Sequence, residues 1–109
     1  MSRALSGGSV MADMIELRKV IADVRERTEG VYIAADEHSG GDHHRRWDAI
    51  RKGEALLVEY LRSTYGASIN EGTHTSTIRM FGIGSSATAG TLAAFRNWAV
   101  AAERKVDAS

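Results

Sequence analysis

The chain has 109 residues, no cysteine, no proline, and basic and acidic side chains in equal number, 14 of each. That size fits one domain with a core modest enough for oligomer formation to help bury apolar surface. Balanced charge argues against a nucleic-acid polymer or an acidic membrane as partner; the missing cysteines exclude a disulfide frame or thiolate site and suit a reducing, cytoplasmic setting; and no apolar run approaches the ~18 residues of a membrane span.

Residues 1–10, M-S-R-A-L-S-G-G-S-V, carry no apolar leader segment and read as a flexible tail before a single domain over 11–109. Over residues 11–29, Met14, Leu17, Ile21 and Val24 fall at spacings of three and four, one stripe of an amphipathic helix. Gly30 is expected to end or bend it, with a further short helix over 31–37. Ser39 to Asp42 form a break, and Asp42 is placed to cap a helix over 43–65 whose stripe is Trp47, Ile50, Leu57 and Leu61. Gly66 is its C-terminal stop.

Residues 67–83 are rich in β-branched side chains and hold the turn signal Asn70-Glu71-Gly72, which predicts a small hairpin. In its second strand Ile78 and Met80 face one side while Thr77, Arg79 and Phe81 face the other. A last helix is predicted over 88–105, with Leu92, Phe95, Ala99 and Ala102 as its buried stripe. The fold class is therefore α+β: N-terminal helices, a small antiparallel β element and a C-terminal helix.

The stretch over 77–98, T-I-R-M-F-G-I-G-S-S-A-T-A-G-T-L-A-A-F-R-N-W, carries the most chemistry. Read as a strand, a glycine loop and a helix start, it offers bare backbone N–H groups to an anion. Gly82 permits close approach, Ser85, Ser86 and Thr88 supply hydroxyls, and Arg79 and Arg96 supply guanidinium groups suited to phosphate. Asn97 suits a ribose hydroxyl and Phe81 a stacked base. The loop matches neither a Walker loop nor a dinucleotide fingerprint. Packing alone is the competing reading of such a corner.

Other constellations are weaker. His38, Asp42, His43 and His44 cluster at a helix entry but match no zinc spacing, so no metal site is assigned. Ser85 with His74 as base lacks a third orienting group, and no catalytic residue or cofactor is assigned.

A helical N-terminal half followed by R-M-F-G-I-G-S-S-A-T-A-G and F-R-N-W resembles the first family of phage-encoded Thoeris anti-defence proteins. The resemblance implies a non-enzymatic sponge that sequesters cyclic ADP-ribose isomers in the host cytosol and assembles as dimers or hexamers. It covers the chain from about Met11 onward, most specifically over 79–98. It also implies a second site for cyclic trinucleotides, for which Arg25, Arg27 and Thr28 on the first helix are the candidates. The alternative is a structural or protein-binding phage component whose helices form the working surface.

Overall fold

The computed structural model describes residues 10–108. In chain order these form α1 (Val10–Ser39), α2 (His43–Tyr65), β1 (Ser68–Glu71), β2 (Ser76–Met80), β3 (Ile83–Ala87) and α3 (Thr91–Asp107). The arrangement is α+β, as the residue pattern predicts. The predicted tail lies outside the described residues, except Val10, which opens α1.

α1 is one helix of 30 residues, so the predicted break at Gly30 and the separate helix after it do not occur. The reason lies in its apolar seam. Val20, Ile21, Val24, Thr28 and Ala35 are buried, Met14, Leu17 and Val31 are partly so, and the stripe keeps its phase through Gly30. Burial on both sides outweighs the ~1 kcal/mol that a helical glycine costs against alanine.

The turn into α2 follows the sequence signals. Gly40 and Gly41 have φ of 57° and 92°, and Asp42 caps α2 by accepting from the Arg45 backbone N–H at 3.1 Å. At the other end Gly66 is left-handed and donates to the Arg62 carbonyl, while the Ala67 N–H reaches Leu61. α1 and α2 thus form an antiparallel hairpin, with Arg27 and Asp23 beside Tyr60 near one end and Asp36 beside Arg46 near the other.

The β element is a three-stranded antiparallel meander rather than a single hairpin. Asn70 and Glu71 belong to β1, and residues 72–75 make the first connection. The predicted glycine loop is mostly β3: Gly84, Ser85 and Ser86 pair with Arg79, Ile78 and Thr77. The β3 backbone groups that face β2 are engaged in a ladder and closed to an anion, because β-pairing satisfies them internally. Phe81 and Gly82 (φ 56° and 73°) form the two-residue turn between β2 and β3, the torsion pattern of a type I′ turn. Gly90 then redirects the chain, and α3 starts at Thr91, not Thr88.

α3 lies between α1 and the sheet. Ile69, Ile78, Met80 and Ile83 of the sheet join Leu92, Phe95, Trp98, Ala99 and Ala102 of α3 in the core. The Trp98 ring is fully buried, and its Nε1–H donates to the carbonyls of Met80 (3.2 Å) and Ile83 (3.1 Å), the two residues flanking the Phe81-Gly82 turn.

Candidate functional site

Strand alternation sorts the chemistry-bearing residues onto two faces. The register aligns Ser68, Arg79 and Gly84 in one outward row, and Asn70, Thr77 and Ser86 in the next. All six are exposed. All of them except Asn70, together with Ile78, Gly82 and Ser85, line a shallow depression of about 570 Å³. Arg79 crosses it: its guanidinium lies against Gly84, where a Cβ would stand 3.3 Å from Nη2. Gly84 is thus the residue that gives this cation room. Among the described residues Arg79 takes part in no ion pair or side-chain hydrogen bond, and it is exposed.

Phe81 lies in the turn beyond the end of β2 and is not among the residues that line the depression, so it does not share a strand face with Arg79 as predicted. It is the single non-glycine residue with positive φ among those described, which costs about 1–2 kcal/mol for an L-residue with a bulky side chain. The ring is 46% exposed and lies 5.9 Å from Tyr65. Ser85 belongs instead to the inward row with Ile69 and Ile78 and is half-buried. Thr88 is exposed in the connection after β3.

The predicted convergence of Arg79 with Arg96 and Asn97 is not formed. Arg96 donates from Nε to Glu29 at 2.8 Å and lies 4.5 Å over the Tyr32 ring, so it is turned toward α1. Asn97 donates to the Ser86 carbonyl at 2.9 Å and ties α3 to β3. Both are held by partners invisible to local pattern: Glu29 lies 67 positions away in sequence.

The three residues proposed for a second site also part company. Arg25 forms a bidentate pair with Glu103, both contacts at 2.9 Å. Its hydrogen bonds hold the guanidinium above its ordinary range and the Glu103 carboxyl below its own. Arg27 donates to Asp23 and stacks 3.7 Å over the Tyr60 ring. Thr28 is fully buried, and its hydroxyl has no hydrogen-bond partner among the described residues.

Two polar clusters escaped the sequence reading. Asp23 accepts from Tyr60 (2.7 Å), Tyr65 (2.5 Å) and Arg27 (2.8 Å). Burial by itself raises its carboxyl, but the three hydrogen bonds and the Arg27 charge together hold it below the ordinary value. Burial and the bond to Asp23 push the Tyr65 phenol well above its usual range. An acid four residues before an arginine was the one local clue to this cluster. The second cluster lies at the start of α3, whose Gly90 provides no side-chain cap. Thr91 bonds Ser76 (3.0 Å) and Glu71 (3.3 Å), and the Leu92 backbone N–H serves Glu54. Burial, then the Glu71 charge, raise the Glu54 carboxyl; Leu92 and Arg51 only partly offset them.

No group of histidines and carboxylates among the described residues is arranged to hold a metal ion. Asp42 is engaged as a helix cap, and His38, His43 and His44 are exposed around it. Ser85 pairs with Ile78 in mid-strand while His74 lies in the connection before β2, and no hydrogen bond joins them. No helix of the described residues is long and apolar enough to cross a membrane. Comparison with family models, curated proteins and solved structures finds no match to this chain, so the assignment of a site rests on its geometry.

Proposed function

We propose that the chain is a non-enzymatic binder of a small anionic nucleotide, of the cyclic ADP-ribose isomer class, held on the outer face of the sheet. One observation carries the reading: Arg79 is a guanidinium without a partner among the described residues, seated over Gly84 and bordered by the hydroxyls of Ser68, Thr77 and Ser86. A planar, multi-donor cation suits a pyrophosphate, and hydroxyls at its rim suit ribose. The exposed Phe81 ring supplies a stacking surface at the edge. Binding alone would suppress a signal when the protein outnumbers it and releases it slowly, and the setting is the cytosol of an infected host cell.

Titration calorimetry with a cyclic ADP-ribose isomer tests the reading. Arg79→Ala should abolish or strongly weaken binding while Arg96→Ala leaves it nearly unchanged. Equal affinity in wild type and Arg79→Ala would remove the site from the sheet. Recovery of intact ligand after denaturing the complex separates sequestration from hydrolysis.

The second reading, a protein-binding component that works through its helices, is favoured by Trp47 and Leu56, which are 59% and 73% exposed on α2. A thermal-shift screen of nucleotides separates the two. A ligand at a hundredfold over its dissociation constant stabilises by ~2.7 kcal/mol, and a purely protein-binding chain shows no shift.

A further inference from the structure

Phe81 is an unusual occupant of its turn. The two-residue connection between β2 and β3 takes positive φ at both positions, where asparagine and glycine are at home, and here a phenylalanine holds the first at 56°. Its ring does not compensate by burial, since the residue is half exposed. The other exposed large apolar residues, Ile15, Ile33, Trp47, Leu56 and Val100, all lie in helices and have negative φ.

Two sets of contacts hold the residue in place. At the backbone, the Trp98 indole N–H donates to the carbonyls on either side of the turn. At the side chain, the Tyr65 ring backs the Phe81 ring at 5.9 Å with a tilt of 58°. Tyr65 is the last residue of α2, and its direction is set in turn from α1. Its hydroxyl donates to Asp23 Oδ2 at 2.5 Å, and its ring meets that of Tyr60 edge to face at 6.0 Å. Asp23 is itself pinned, accepting from Tyr60 at 2.7 Å and from Arg27 at 2.8 Å. Burial, then the bond to Asp23, keep the Tyr65 phenol protonated well beyond its usual range, so it remains a donor to that carboxylate. A chain of contacts therefore runs from α1 through the end of α2 to a strained, exposed ring. Packing alone gives a poor account of it, because a small polar residue in the turn would relieve the strain and expose less apolar surface. Strain that the surroundings over-determine is a mark of functional positions.

We infer that Asp23 and Tyr65 are positioning residues, which fix the Phe81 ring so that its outer side is a platform for the planar base of the nucleotide. This role rests on the nucleotide reading above and adds to it how the platform is held. Tyr65 covers one side of the ring and the exposed side is left for the ligand. Gly82, the next residue, lines the depression that Arg79 crosses, so a ligand whose anionic part meets Arg79 has its base within reach of Phe81. The class recognised is then an anion joined to a flat aromatic ring, not a phosphate alone. Fixing the ring before the ligand arrives removes the entropic cost of ordering it on binding.

Calorimetric titration of the full chain with a cyclic ADP-ribose isomer, run as a double-mutant cycle, provides the test. Phe81→Leu should weaken binding by about fivefold or more through lost stacking. Tyr65→Leu, which removes the backing ring, should weaken it by about threefold. Tyr65→Phe and Asp23→Asn, which keep both rings and disturb only the bond between them and α1, should each weaken it by about twofold, and they carry the test should Tyr65→Leu fail to fold. In the Phe81→Leu background none of these substitutions should change affinity further, whereas a merely structural role would cost the same in both backgrounds. Far-UV circular dichroism checks that the helices are kept. Variants at Tyr65 and Asp23 that bind as tightly as wild type, or losses that add in full to that of Phe81→Leu, overturn the positioning role and leave the nucleotide reading standing. A wild type that binds no nucleotide overturns both.

Discussion

The two faces of the sheet divide the labour of one strand. In β2, Ser76, Ile78 and Met80 are buried, while Thr77 and Arg79 between them are exposed. The inward set is closed off by α3 and locked at the turn by the Trp98 indole. The outward set is exposed and holds Arg79, whose guanidinium has no ion pair among the described residues. Side chains one position apart therefore answer to different demands, and substitutions on the two faces should separate stability from ligand binding.

The largest effect is expected on the inward side. Trp98→Ala removes a fully buried ring and leaves the Met80 and Ile83 carbonyls without their donor, so urea unfolding should show a loss of about 3–5 kcal/mol. Arg79→Ala is the outward counterpart. It should weaken nucleotide binding by about 1.5–3 kcal/mol in calorimetry while stability stays within ~0.5 kcal/mol. A comparable loss of stability from both substitutions would break the division between faces.

Phe81 sharpens the comparison because it sits where the faces meet. Phe81→Asn restores a residue type at home in a positive-φ turn, so stability should hold or rise by up to about 1 kcal/mol. Affinity should fall by about 1 kcal/mol if the ring stacks on a base. The observed strain then has a use.

The smallest effects concern pH, and their signs oppose. Asp23 titrates below its ordinary value in the folded chain, so its contribution is present above 3.8 and lost as pH falls through the lowered value. Glu54 titrates above 4.5, so its contribution is present below 4.5 and lost as pH rises through the raised value. Urea midpoints across pH should show Glu54→Gln flattening the loss on the alkaline side. The pair Tyr60→Phe, Tyr65→Phe should reduce the sensitivity on the acid side.

Residue pattern alone determined the elements whose signals are local. Asp42 and Gly66 bound α2, Leu92, Phe95, Ala99 and Ala102 form the buried stripe of α3, and the alternation in β2 places Arg79 outward. Each follows from periodicity or from a cap within a few residues. Tertiary structure decided the rest. Gly30 remains helical because α2 and α3 cover the seam on either side of it, and I-G-S-S-A becomes β3 because β2 supplies its partners and α3 covers Ile83. The same holds for the two arginines. Arg96 meets Glu29 and, among the described residues, Arg79 meets no carboxylate because a charge pairs only across a few ångströms, and which side chains come that close is set by how the helices and sheet stack.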